Sequence, residues 1–201
     1  MAAPKNPVSE VASVSKSQQY AIGVDIGGTN TKFGIVDTRG DIFYRGAIST
    51  KKHKSVEKFI DDLYEAVYPA IETVGGIAEV KGIGVGAPNG NYYKGTVEYA
   101  PNLPWKGVIP LADLIGDRFG LATSLTNDAN AAAVGEMMYG AARGMKDFIM
   151  ITLGTGVGSG IVANGQLIYG HDGFAGELGH TIIIPDGRLH WGAGAYGSLE
   201  A

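Results

Sequence analysis

The chain of 201 residues is 45% hydrophobic and 18% charged, which provides apolar residues for a core and argues against general disorder. Its net charge is −4 without a long basic run, which argues against a nucleic-acid partner. It contains no cysteine, so disulfides and thiolate zinc sites are excluded.

Residues 1–18 are rich in Ser, Lys, Ala and Pro and show no hydrophobic periodicity, which predicts a flexible N-terminal arm. The arm lacks the apolar stretch of a secretory signal. No apolar run approaches the roughly 20 residues that span a bilayer. We therefore expect a cytoplasmic protein without a membrane partner.

Three strand-like runs follow the arm, at 21–26, 31–37 and 42–49. Tight turns separate them, which predicts an antiparallel meander. Apolar residues then recur at steps of three and four from 56 to 74 and predict a helix. Ser55 is placed to cap this helix, and Gly75-Gly76 is placed to end it.

The rest of the chain alternates strand-like and helical runs. The predicted strands and helices are 81–87 (strand, followed by a polar glycine-rich loop), 111–119 (helix), 121–126 (strand), 129–142 (helix), 148–153 and 159–163 (strands), and 166–168 after an Asn164-Gly165 hairpin turn. A strand, a glycine turn and a returning strand occur at 21–36 and again at 148–163. This repetition indicates a weak internal duplication.

The first glycine turn carries the pattern of an anion site. Two adjacent glycines let the backbone approach an anionic ligand with its amides, a threonine adds a hydroxyl, and an aspartate at the strand end suits Mg²⁺ held through water. An ordinary hairpin turn is the alternative. The lysine of this segment could bind the phosphates or be a solvated surface residue. The spacing matches neither a Walker loop nor a dinucleotide fingerprint. The predicted phosphate-binding residues are Asp25, Gly27, Gly28, Thr29, Asn30 and Lys32.

The second glycine turn reads L-G-T-G-V-G-S-G and supplies further backbone amides. A purely structural turn is the alternative. Two such turns after matched strands favour a polyphosphate held at both ends. The predicted phosphate-binding residues here are Gly154, Thr155, Gly156, Val157 and Gly158.

Asp128 lies at a predicted strand end and opens the next helix. Aspartate is a favoured helix N-cap, so a capping role is one interpretation. The other is a catalytic carboxylate, which phosphoryl transfer needs to orient and deprotonate a hydroxyl.

Glu177 and His180 are three residues apart, so one helical turn would place them on the same side. A carboxylate and an imidazole together can bind vicinal hydroxyls. A surface glutamate beside a packed histidine is the plain alternative. A metal pair is a further one, although no third ligand is evident nearby.

A family resemblance rests on five segments. In chain order they read V-D-I-G-G-T-N, G-V-G-A-P with A-P-N-L-P-W, T-N-D-A-N-A-A-A-V-G-E, L-G-T-G-V-G-S-G and G-E-L-G-H. Together they resemble the motifs of the ROK family, a group of repressors, open reading frames and kinases within the actin-like, hexokinase-like ATPases. The resemblance covers about residues 20–201.

The resemblance implies an α/β fold of the actin-like/hexokinase-like (ribonuclease H-like) type. It implies a small lobe at 19–125 with the first phosphate motif and the start of a large lobe at 126–201. By the same resemblance the chain is an ATP-dependent hexokinase that uses Mg²⁺, with Asp128 taking the proton of the sugar's 6-hydroxyl. The residues that it assigns to the sugar are Asn102, Asn127, Asp128, Glu177, His180 and Glu200.

Several points stay open under this resemblance. Glucose is the favoured substrate, and N-acetylmannosamine, N-acetylglucosamine, fructose and allose are alternatives. Family members form dimers, but the oligomeric state of this chain is not fixed by it. A non-catalytic sugar-binding regulator, an inactive fragment and a different ATPase of the same superfold are the competing functions.

Two departures from the family pattern matter. The family's zinc motif has three cysteines after the E-x-G-H histidine, and here Trp191, Ala193 and Ser198 stand in their places. His190 does not restore a tetrahedral site, so we predict no structural zinc and a less restrained His180. The family also continues for roughly another hundred residues. A fragment would have an incomplete nucleotide site and exposed apolar surface, and a naturally shortened member is the alternative.

Overall fold

The computed structural model describes residues 19–154, 156–190 and 194–201. The arm predicted at 1–18, the phosphate-binding role of Thr155 and the zinc-motif positions Trp191 and Ala193 lie outside the described residues. The helices and strands are, in chain order, β1 (Tyr20–Ile26), β2 (Asn30–Asp37), β3 (Ile42–Ser49), α1 (Val56–Thr73), β4 (Val80–Gly86), β5 (Gly90–Asn91), β6 (Thr96–Glu98), β7 (Val108–Ile109), α2 (Leu111–Phe119), β8 (Thr123–Thr126), α3 (Asp128–Tyr139), β9 (Phe148–Leu153), β10 (Val157–Ala163), β11 (Gln166–Leu167), β12 (Leu189–His190) and β13 (Ala195–Tyr196).

The first sheet has five strands in the order β3-β2-β1-β4-β8. Strands β1, β2 and β3 form the predicted antiparallel meander, whereas β4 and β8 run parallel to β1. Asp25 pairs with Gly86, and Gly86 pairs with Thr126. The carboxyl ends of β1, β4 and β8 therefore meet at one edge of the sheet, where parallel strands of α/β proteins place their ligands.

Helix α1 covers one face of this sheet. The Ser55 side chain accepts a hydrogen bond from the Lys58 amide, which is the predicted cap. Gly75 and Gly76 have φ values of 101° and 94°, a left-handed region that ends the helix as predicted. The buried residues of α1 recur at steps of three and four and pack with β1, β4 and α2 in one core; they are Val56, Phe59, Ile60, Leu63, Val67, Ala70 and Ile71.

Helix α3 lies between the first sheet and a second sheet with strand order β11-β10-β9. Glycines permit the close approach on both sides. A Cβ atom at Gly86 would lie 3.3 Å from the Ala131 Cβ, and one at Gly160 would lie 2.6 Å from the Ala133 Cβ. Because Gly86 is paired with Asp25, the start of α3 is held over the Asp25 end of β1.

The second sheet confirms the predicted Asn164-Gly165 turn, whose residues have φ values of 52° and 73°. Its β9–β10 pair is an antiparallel hairpin like β1–β2, as the internal repetition predicted. The division into lobes at 125/126 stays a prediction.

Two predictions of local structure differ from the fold. The segment after Pro88, predicted as a loop, contains the short antiparallel strands β5, β6 and β7. Helix α3 ends at Tyr139, because the Gly140 backbone is extended and caps it, rather than at the predicted residue 142. Within the part of the chain that the structure describes, no helix is long and apolar enough to cross a membrane.

Candidate active site

The first glycine turn joins β1 to β2 and is held by its own backbone. The Gly27 amide donates to the Asn30 carbonyl at 3.1 Å, and the Thr29 carbonyl accepts from the Thr50 amide at 2.9 Å. The amides of Gly28 and Thr29 have no acceptor among the described residues. These two amides are therefore the donors that the turn offers to an anion, whereas the Gly27 amide, which was predicted to face a phosphate, is used within the turn.

Asn102 lies directly against this turn. A Cβ atom at Gly28 would lie 2.5 Å from the Asn102 carbonyl oxygen and 3.3 Å from the Asn102 Cβ. Glycine at position 28 is thus required by the loop that carries Asn102, a reason that the sequence did not reveal. The contact brings a predicted sugar-binding residue next to a predicted phosphate turn.

Asp25 is the second-last residue of β1 and lies near both a cation and a second carboxylate. Lys32 is its direct partner in the β1–β2 pairing, so both side chains project from the same face of the sheet. Partial burial raises the pKa of Asp25, the nearby Asp128 carboxylate raises it further, and Lys32 opposes the rise. Asp25 and Asp128 therefore lie near each other at the carboxyl edge of the sheet.

Asn127, rather than Asp128, is the N-cap of α3. The Asn127 Oδ1 accepts hydrogen bonds from the amides of Ala129 at 2.8 Å and Asn130 at 3.3 Å. The capping interpretation of Asp128 is therefore wrong. Among the described residues, the exposed Asp128 carboxylate accepts the amide of the next residue, Ala129, at 2.8 Å, and it can accept a further hydroxyl. Since Asn127 uses its oxygen in the cap, its Nδ2 is the group left to contact a sugar.

The second glycine turn is occupied by a carboxylate. The Val157 amide, predicted to bind phosphate, donates to the Glu200 Oε2 at 3.0 Å. A Cβ atom at Gly156 would lie 2.8 Å from the same oxygen, so a larger residue there would displace the Glu200 carboxylate. The Gly154 amide donates to the Gly156 carbonyl at 3.0 Å. The turn thus binds a residue that the sequence assigned to the sugar.

Glu177 and His180 lie on the predicted helical turn, a 3₁₀ helix at Leu178–His180 that Glu177 precedes. The His180 Nε2 lies 4.0 Å from the Glu177 Oε2, and its Nδ1 lies 3.2 Å from the Glu200 Oε1. Burial raises the pKa of Glu177, with His180 opposing the rise and the Asp128 and Glu200 carboxylates adding to it. The charge of Glu177 is therefore felt by both His180 and the carboxylates of Asp128 and Glu200.

The comparisons with known proteins decide the family. The sequence pattern of the ROK family matches residues 21–201.

The chain belongs to the ROK family.

Relatives and solved structures of the ROK family agree with this assignment. The chain is 38% identical over 186 residues to the glucokinase of Halalkalibacterium halodurans, covering 92% of this chain and 56% of that protein. It is 35% identical over 176 residues to the xylose repressor of Caldicellulosiruptor bescii, covering 85% and 43%. A ROK family glucokinase from Streptomyces griseus, solved with glucose and AMPPNP, superposes with a TM-score of 0.76 at 41% identity and covers 90% of this chain and 56% of that chain.

These likenesses confirm the predicted α/β fold of the actin-like, hexokinase-like class. The ROK chain spans about half the length of the curated relatives that it matches.

Most of the predicted site residues of this ROK chain gather in two places. Asp25, Lys32 and Asp128 lie at the carboxyl edge of the first sheet, with Asn102 at the first turn. Glu177, His180, Glu200 and the second turn form the other cluster. His190 belongs to that cluster, since its Nδ1 lies 3.5 Å from the Glu200 Oε1. The sequence analysis weighed His190 only as a metal ligand. Its place beside Glu200 depends on the short β12–β13 hairpin, which has no periodic signal in the sequence.

The residues fit magnesium and do not fit the family's zinc. The chain has no cysteine, and no group of three or more His, Asp or Glu within the described ranges could hold a metal ion. The absence of structural zinc stays a prediction. By contrast, Asp25 and Asp128 repel each other, and a hard cation that keeps waters and phosphate oxygens would relieve that repulsion.

Proposed function

We propose that this ROK chain acts as an ATP-dependent hexokinase of the glucokinase type, which transfers the γ-phosphoryl group of ATP to the 6-hydroxyl of glucose. One observation carries the proposal: Asp128 does not cap its helix, and it begins α3 against Gly86, the strand partner of Asp25, at the sheet edge that carries the first glycine turn. We place the ligand cleft at this edge. The glucose and AMPPNP bound to the Streptomyces griseus glucokinase support the choice of sugar and nucleotide.

The sugar would lie against Asn102, Glu177 and His180, whose carbonyl, carboxylate and imidazole groups accept and donate hydrogen bonds to vicinal hydroxyls. Asp128 orients the 6-hydroxyl and accepts its proton as the oxygen attacks the γ-phosphorus. The bond from that phosphorus to the bridging oxygen breaks, and ADP leaves with its electron pair. Positioning and charge stabilisation dominate phosphoryl transfer.

The phosphates would be bound by the free amides of Gly28 and Thr29, with Lys32 as a nearby cation. Asp25 would hold Mg²⁺ through water, and the ion would neutralise charge on the phosphates. The glycines of the second turn, Gly154, Gly156 and Gly158, would contact the nucleotide from the other side. A kinase that uses ATP also fits the cytoplasmic location expected from the sequence.

The proposal is tested by coupled ADP release from the chain with ATP, Mg²⁺ and a panel of hexoses. We expect ADP release only when a hexose is present, fastest with glucose and slower with N-acetylmannosamine, N-acetylglucosamine, fructose and allose. Titration calorimetry with glucose supplies the matching affinity. A chain that binds no hexose, or that hydrolyses ATP equally without one, contradicts the proposal.

A sugar-responsive regulator is the second candidate, favoured by the 35% identity to the Caldicellulosiruptor bescii xylose repressor. Such a protein would use the same cleft for binding without turnover. Glucose or xylose binding with no ADP release at any hexose concentration would support this candidate over the kinase.

A further inference from the structure

Glu200 connects the two halves of the site. Its side chain is only 9% exposed, and each of its carboxylate oxygens faces a different set of groups. Oε2 accepts the Val157 amide of the second glycine turn at 3.0 Å. Oε1 lies 3.2 Å from the His180 Nδ1 and 3.5 Å from the His190 Nδ1.

The carboxylate lies directly against two glycines. A Cβ atom at Gly156 would lie 2.8 Å from Oε2, and one at Gly179 would lie 3.1 Å from it. The Glu200 amide also donates to the Gly179 carbonyl at 3.2 Å. Two glycines thus form a slot around the carboxylate, and one of them precedes His180 directly.

His190 approaches the carboxylate oxygen Oε1, which faces away from Gly156 and Gly179. Strand β12 pairs with β13 and returns the chain to Glu200, so His190 approaches the carboxylate from a different segment than His180. The two imidazole rings lie 6.4 Å apart, centroid to centroid, with Glu200 Oε1 within reach of both. An imidazole that carries its hydrogen on Nδ1 can donate to that oxygen.

We propose that His190 is a positioning residue that fixes Glu200 between the sugar pocket and the second glycine turn, and thereby couples hexose binding to nucleotide binding. The proposal rests on the proposed kinase function for its ligands. A hexose that orders His180 and Glu177 would also order Glu200 and the Val157 amide. The nucleotide then binds a turn that is already ordered, so each ligand strengthens the binding of the other.

Three substitutions separate the positioning role from a general structural one. His190→Asn keeps a nitrogen donor at the position of Nδ1, whereas His190→Gln moves the donor to the position of Nε2 and His190→Ala removes it. His171→Gln is the matched control, because it makes the same change at a histidine whose side chain is 98% exposed. Only the Ala and Gln variants at position 190 should lose the positioning of Glu200.

The first measurement needs no ligand. Amide hydrogen exchange at Val157 in the free chain should accelerate about tenfold or more in His190→Ala and His190→Gln, since the acceptor carboxylate is no longer fixed. His190→Asn and His171→Gln should match the unsubstituted chain. Equal exchange at Val157 in all five proteins would overturn the proposal.

The second measurement is calorimetric titration with AMPPNP, with and without saturating glucose. In the unsubstituted chain and His190→Asn, glucose should tighten AMPPNP binding about fivefold or more. In His190→Ala and His190→Gln this ratio should fall towards one while glucose still binds. A ratio unchanged in the Ala variant overturns the coupling role, even where Val157 exchange responds. Failure of the unsubstituted chain to bind glucose overturns the proposed function instead. The exchange measurement then tests only whether His190 positions Glu200.

Discussion

Asn127 and Asp128 divide two tasks at the first turn of α3. The Asn127 side chain caps two helix amides, which leaves the neighbouring carboxylate directed at the cleft. A negative charge at a helix N-terminus is also stabilised by the helix dipole. The cap of α3 therefore does not depend on the Asp128 carboxylate.

Replacing Asn127 should cost stability with little change in the chemistry of Asp128. Asn127→Ala is expected to lower the free energy of unfolding by about 1 kcal/mol, because two α3 amides lose their acceptor. Asn127→Ser should recover most of that loss. Urea unfolding of the three proteins measures the difference, and equal midpoints for all of them would show that the cap does not stabilise the helix.

Asp25 should make the free energy of unfolding of the ligand-free chain depend on pH. Its pKa in the folded chain lies above the ordinary value of 3.8, so between the two values the folded state binds more protons than the unfolded state. The free energy of unfolding therefore falls as pH rises through that window, and the charged carboxylate remains destabilising at neutral pH.

Asp25→Asn is expected to remove this part of the pH dependence and to raise the free energy of unfolding at neutral pH. Urea titrations at several pH values from acid to neutral, with the exposed Asp117→Asn as control, make the comparison. A variant that loses stability at neutral pH would contradict the repulsion between Asp25 and Asp128.

At the scale of elements, the loop from β6 to β7 carries Asn102 and is anchored by a tryptophan. Trp105 is buried, packs on Phe59 at a centroid distance of 4.7 Å, and donates through Nε1 to the His53 carbonyl at 3.1 Å. Leu103 is buried beside it. The core of the first sheet thus fixes the position of Asn102 at the glycine turn.

Trp105→Ala should lower the free energy of unfolding by about 3–5 kcal/mol, since a large buried ring leaves a cavity. Trp105→Phe keeps much of the packing and loses the Nε1 donor, so its cost should be smaller. Glucose affinity should fall in the Ala variant at temperatures where it is still folded. Unchanged glucose affinity there would mean that the loop does not position the sugar.

The elements that the sequence predicted are those with a local signal. The β1–β3 meander and α1 follow from alternating and three-to-four spacing, and both ends of α1 follow from Ser55 and the glycine pair. Strands β5 to β7 were missed because two or three residues carry no period. Asn and Asp are equally good caps and are adjacent here, so the sequence could not show which of the two caps α3. The Glu200–Val157 bond joins residues 43 positions apart, so no spacing could show it.

At the scale of the whole molecule, β9 presents an apolar face to solvent. Ile149, Ile151 and Leu153 alternate along the strand and are 55%, 48% and 83% exposed. Strand β9 is also the last strand of its sheet among the described residues. An exposed apolar edge strand favours association with another chain.

We expect the chain to associate as its concentration rises, and the double variant Ile149→Lys with Ile151→Lys to remain monomeric. Its stability should stay within about 0.5 kcal/mol, because both side chains are already exposed. Sedimentation velocity measures the association, with Ile77→Lys as a control at a 40% exposed site elsewhere. Equal sedimentation of the double variant and the unsubstituted chain would place the contact on another surface.

The central claim is that Asp128 is the base of a hexose kinase, and glucose-dependent ADP release by the Asp128→Asn variant tests it most directly. The account predicts a turnover about 10²–10⁴-fold lower than that of the unsubstituted chain, with glucose affinity by calorimetry within a few-fold. Asp117→Asn, on the exposed face of α2, should leave both unchanged. Near-normal turnover in Asp128→Asn would contradict the account.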